Sequence, residues 1–144
     1  MSDLDRKIEQ ALGIDPRKIE VETTVSNGVD VLVFKYDLTV VLPADLLDML
    51  VLYWHLHHRW AEGGGRSILL WPTSTVGWDS TREFFTMAIP ATNHWYARKI
   101  VTAWMWHRGL VVPKLKGSLS QWRVRPGPNF ERFLMSVKME RGLC

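Results

Sequence analysis

The dipeptide Asn27-Gly28 lies between two alternating, β-branched runs in KIEVETTVSNGVDVLVFKYDLTVVL, and no other short stretch restricts the fold as much. Both residues tolerate positive φ, as a two-residue type I′ turn demands, so the flanking runs are expected to fold back on each other as a hairpin. The second run extends to VDVLVFKYDLTVVL, which predicts either one strand over 29–42 or two strands broken near residues 35–37. Before the hairpin, SDLDRKIEQAL predicts a short helix with Ser2 or Asp3 as cap and Gly13 as stop. Leu4, Ile8, Ala11 and Leu12 share one face of that helix.

At Pro43 the apolar spacing changes from two to helical. PADLLDMLVLYWHLHHRW predicts a well-buried helix whose inward stripe is Leu46, Leu47, Leu50, Val51 and Trp54, ended by Gly63-Gly64-Gly65. A short strand, RSILLW, follows, then a TSTVGW loop and a capped helix in DSTREFFTMAI. NHWYARKIVTAWMWHRGLVV reads as a longer helix stopped at Gly109. LVVPKLKGSLSQWRVRPG predicts two strands around Gly117-Ser118. PNFERFLMSVKMERG is a last amphipathic helix, with Asn129 as cap and Phe130, Phe133, Leu134 and Val137 inward.

The 144 residues, 47% apolar, suffice for one core. The apolar stretch over 38–56 contains Pro43, Asp45 and Asp48, so no membrane partner is expected. The N-terminus has no apolar signal-like segment, and the single cysteine is Cys144, so a reducing, cytoplasmic setting is expected. The net charge of +3 hides an asymmetry: residues 1–62 hold eleven acidic and six basic side chains, and residues 63–144 hold four acidic and twelve basic. A basic half favours a polyanionic partner through long-range attraction.

The order helix, short strand, helix, turn, helix, strand, basic hairpin tip, strand resembles the winged helix-turn-helix superfamily over residues 43–125. The resemblance is carried by STREFFTMAIPATNHWYARKIVTAWMWHRGLVV, with its short helix, tight turn and longer helix leaving through RGLV, and by PKLKGSLSQWRV as the wing. Residues 43–60 would supply the supporting helix, and SILLW the small strand that pairs with the wing. The resemblance implies an α+β fold: a winged-helix-like domain over 43–144 with a terminal helix, preceded by an N-terminal helix and β-hairpin over 1–42. It also implies DNA binding by a small regulator or a replication or recombination accessory, with helix 93–108 as recognition helix and 113–125 as wing.

Helical spacing puts Ala97, Ile100, Val101 and Trp104 on a core stripe and His94, Trp95, Arg98, Lys99, Thr102 and Trp106 on the opposite, outward face. Asn93, His94, Arg98, Lys99 and Thr102 are then the groove-facing candidates, since Arg can pair with guanine, Asn with adenine and Lys with phosphate. Lys114, Lys116, Arg123 and Arg125 are the phosphate-facing candidates on the wing. Either face also fits an ordinary solvated surface. Double-stranded DNA is the expected partner, and a homodimer built on the terminal helix or the N-terminal hairpin would suit paired half-sites.

The second expectation is a protein-interaction module, such as a small intracellular or viral inhibitor that blocks nucleic-acid-binding machinery. Its contact surface would be Trp71, Trp78, Trp95 and Trp106. His55, His57 and His58 lack the cysteines or acidic cluster that would complete a zinc site. EGGGRS lacks the Lys-Ser/Thr of a phosphate loop, and no serine or cysteine stands in a nucleophile motif. A non-enzymatic protein without metal or cofactor is therefore expected.

Overall fold

The computed structural model describes residues 1–58, 68–69, 94–117 and 122–143. The chain is an α+β protein with two three-stranded antiparallel sheets and four helices among the described residues. The helix expected in DSTREFFTMAI lies outside them, as do the triple glycine, Trp71, Trp78 and Asn93.

Helix α1 (Asp3–Leu12) begins where Ser2 Oγ accepts the Asp5 amide at 3.1 Å, and two acidic residues occupy its first turn. It stops at Gly13, whose φ of 70° lets its amide reach the Glu9 carbonyl. Ile8 and Leu12 are buried as the spacing requires, whereas Leu4 is exposed and Asp5 is buried in its place. A 3₁₀ turn over Pro16–Lys18 follows, capped by the Asp15 carboxylate.

The first sheet is a meander of β1 (Glu20–Ser26), β2 (Val29–Lys35) and β3 (Thr39–Pro43). Its first turn has φ of 51° at Asn27 and 78° at Gly28, and the apolar run breaks after Lys35 into two strands. Register places Val21, Phe34 and Val40 side by side, with Phe34 and Val40 buried.

Helix α2 (Leu46–His58) buries Leu47, Leu50, Val51 and Trp54, as its stripe predicted. It packs against α4 (Phe130–Glu140), which buries Phe130, Leu134 and Val137. Asn129 makes no side-chain cap to α4; its amide donates instead to the Arg108 carbonyl at 3.0 Å.

Between α2 and α4 in sequence comes α3 (His94–His107). Its end is a Schellman motif: Gly109, at φ 75°, donates to Trp106, and Leu110 donates to Met105. A Cβ on Gly127 would collide with the Gly109 carbonyl, so two glycines allow α3 and α4 to be joined backbone to backbone.

The second sheet has strand order β4–β6–β5, with β4 (Ile68–Leu69) on one side of β6 (Arg123–Pro126) and β5 (Val111–Lys114) on the other. The expectation that SILLW pairs with the basic hairpin thus matches the observed partners, Ile68 with Val124 and Leu69 with Arg123.

One hydrophobic cluster runs through the chain, from Ile8 and Leu12 through Phe34, Val40 and Leu42 to Trp54, Ile100, Leu110, Trp122, Phe130 and Val137. Residues on both sides of position 42 share it. Three further links reinforce the join. Tyr96 Oη accepts the Asp37 and Leu38 amides at 2.8 and 3.0 Å. The Trp104 and Phe34 rings meet edge to face, 5.5 Å apart. Asp5 Oδ1 lies 2.6 Å from His107 Nδ1, fastening α1 to the end of α3.

Candidate nucleic-acid interface

The β5–β6 hairpin puts its apolar residues inward and its cations outward. Trp122 and Val124 are buried, and Arg123 and Arg125 between and beyond them are exposed. Across the ladder Lys114 lies opposite Arg123, and Val112 opposite Arg125, so Lys114, Arg123 and Arg125 occupy one face. Like charges directly opposite on a sheet repel, and an anion beside Lys114 and Arg123 lessens that repulsion. Lys116, also exposed, follows just beyond β5; the rest of the hairpin tip lies outside the described residues.

Helix α1 adds a second wall. Lys7, Lys114, Arg123 and Arg125 line an open concavity of about 530 Å³ over Val112, Pro113 and Val124. Among the described residues no carboxylate lines it. Sequence reasoning did not reach Lys7, because it stands in an acidic helix more than 100 positions from the hairpin, and only tertiary packing brings the two together. A second concavity, of about 360 Å³, is lined by Lys18, Glu20, Lys35, Tyr36 and Asp37 and mixes both signs of charge.

The proposed outward face of α3 needs correction. Thr102 is fully buried, its hydroxyl donating to the Arg98 carbonyl at 2.6 Å, and Trp106 is 5% exposed within the core. Trp104, assigned to the core stripe, packs at the core's edge instead, with the Arg108 guanidinium 5.3 Å from its ring centroid. The cause is that α3 is covered on more than one side: α1 and the 3₁₀ turn pack on it, as does β5, and Phe34 and Tyr96 tie it to the first sheet. Ala97, Ile100, Val101, Ala103 and Met105 are all buried as well, so no wide polar face remains.

Arg98 and Lys99 are half-buried, and burial pushes the Arg98 guanidinium below its ordinary pKa. Neither lines the basic concavity. The structure therefore groups the hairpin cations with Lys7 and leaves the helix candidates apart. Asn93, Trp71 and Trp78 lie outside the described residues, as do the side chains of His94 and Trp95. Of the tryptophan contact surface, Trp106 is taken up by the core.

Among the described residues no helix is long and apolar enough to cross a membrane. No family model, curated protein or solved structure matches the chain.

Proposed function

We propose that this chain is a non-enzymatic DNA-binding protein that holds duplex DNA through the β5–β6 hairpin, acting as a wing. The observation that carries the reading is the placement of Lys114 opposite Arg123, with Arg125 on the same exposed face. Such a face is favourable against phosphates, where each cation displaces condensed counterions from the duplex. The pairing of β4 with β6 supports a winged-helix layout, in which β4 is the small strand beside the wing. The burial of Thr102 and Trp106 moves the weight of binding away from α3. Phosphate contacts then dominate over base readout, and sequence preference is weak.

The test is fluorescence anisotropy with a labelled random-sequence duplex over a salt series, comparing the native chain with Lys114→Ala/Lys116→Ala. Binding should fall steeply with salt, and the double variant should lower the log–log slope by about 2, because two phosphates are no longer neutralised. Absence of binding at low salt would overturn the reading.

A further inference from the structure

We propose that the concavity between α1 and the β5–β6 hairpin is a phosphate-binding cleft for the backbone of duplex DNA, with Lys7 as a binding residue that closes it. The inference rests on the DNA-binding reading and adds a residue, a second wall and a choice of nucleic acid. Three observations carry it.

The first is charge. Four cations from two elements converge, and no carboxylate among the described residues lines the space between them. Lys7 makes no ion pair among the described residues, whereas the carboxylate of Asp3, one turn before it, lies 3.7 Å from Arg6. An exposed, unneutralised ammonium facing two guanidinium groups and a second ammonium raises the local potential, and a phosphodiester is the partner that potential attracts.

The second is what the lining lacks. Single-strand binders gain affinity by stacking bases on exposed rings. Among the described residues no ring lines the cleft: Trp106 and Trp122 are buried, and Trp104 contacts Phe34 edge to face and the Arg108 guanidinium. Among the described residues the lining is four cations with Val112, Pro113 and Val124, which suits phosphate contact better than stacking. A duplex, whose bases are already stacked, requires nothing more.

The third is rigidity. Lys7 can act only if α1 is held in place, and α1 is anchored by buried Ile8 and Leu12 and by the 2.6 Å contact from Asp5 to His107. Little ordering of the helix is then needed on binding.

The experiment compares four full-length chains on a mixed-sequence duplex and on a single strand of the same length: native, Lys7→Ala, Lys7→Glu and Lys18→Glu. Lys18 is equally exposed but lines the concavity of mixed charge, so it controls for net charge alone. Lys7→Ala should lower the salt slope on duplex by about 1. Lys7→Glu should weaken duplex binding more than Lys18→Glu does, with unchanged melting curves for all four. If Lys7→Ala keeps the native slope while Lys114→Ala/Lys116→Ala lowers it, the cleft is overturned and the DNA-binding reading stands. Equal losses for the two Glu variants would likewise overturn it. Single-strand affinity equal to or above that for duplex would overturn the choice of duplex. If the native chain binds neither nucleic acid at low salt, both proposals fall.

Discussion

Trp106 shows how far a single side chain departs from its local pattern. Placed outward by helical spacing from Ala97 and Val101, it lies in the core with 5% of its surface exposed. Trp106→Ala should therefore destabilise the protein by about 3–5 kcal/mol, the range for deleting a large buried ring. Urea denaturation at equilibrium measures this; a change within about 0.5 kcal/mol would mean the ring is a surface group after all. Residue-scale reading succeeded where backbone conformation or a terminal stop decided the outcome, as at Asn27-Gly28, Gly13 and Gly109. It failed where burial was decided by neighbours distant in sequence. Thr102 has a β-branched shape and one hydroxyl, and that hydroxyl is satisfied within its own helix, so nothing local tells the inside of α3 from the outside. Lys7 is the converse case: its neighbourhood is acidic in sequence and basic in space.

Among the elements, the 3₁₀ turn that links α1 to the first sheet carries its own pH dependence. Asp15 accepts from the Arg17 backbone amide at 3.1 Å and from its guanidinium at 3.0 and 3.2 Å. The Arg17 side-chain hydrogen bonds, more than any other influence, hold the Asp15 carboxyl below its usual range. Because the folded value is depressed, the stabilisation is present above the unfolded value of about 3.9 and is lost as pH falls through the lower folded value. Arg17→Met should lower the melting temperature at pH 7, and the gap to the native chain should close as pH falls below about 4. Thermal melts across that range decide it; a gap independent of pH would show that the guanidinium acts only by packing. Asp48, on α2 near Arg141, has the opposite sign, because burial raises its carboxyl. That contribution is common to both chains and cancels in the comparison. Helices α1 and α4 were legible because each has one buried stripe, whereas α3 is covered on several sides and its period blurs.

For the molecule as a whole, the sequence suggested a seam at residue 42, where a strand pattern gives way to a helical one. Secondary structure changes there, and one hydrophobic cluster holds residues from both sides. Ile8, Leu12, Phe34, Val40 and Leu42 belong to the same cluster as Trp54, Ile100 and Phe130. A chain beginning at residue 43 would leave Ile100 and its neighbours without part of their cover. It should lose its cooperative melt and its near-ultraviolet dichroism; retention of both would show that residues 43–144 form a self-sufficient unit. The candidate interface follows the same logic, since its hairpin was legible as a basic strand pair but its second wall belongs to the opposite end of the chain. Pattern reading works along the sequence, and the cleft exists only across it.

The contact between Asp5 and His107 spans 102 positions, and that between Asp37 and Tyr96 spans 59. For a polypeptide made from its N-terminus onward, α1 and the first meander emerge long before the helix they dock on. Until residues 94–107 are made, Phe34 and Val40 face water, along with Ile8, or whatever shields them temporarily. Closing loops of that length makes assembly slow, and the waiting strands are the part of the nascent chain most open to pairing with a neighbour. Yield in a cell would then depend on how quickly α3 follows as much as on the stability of the finished protein.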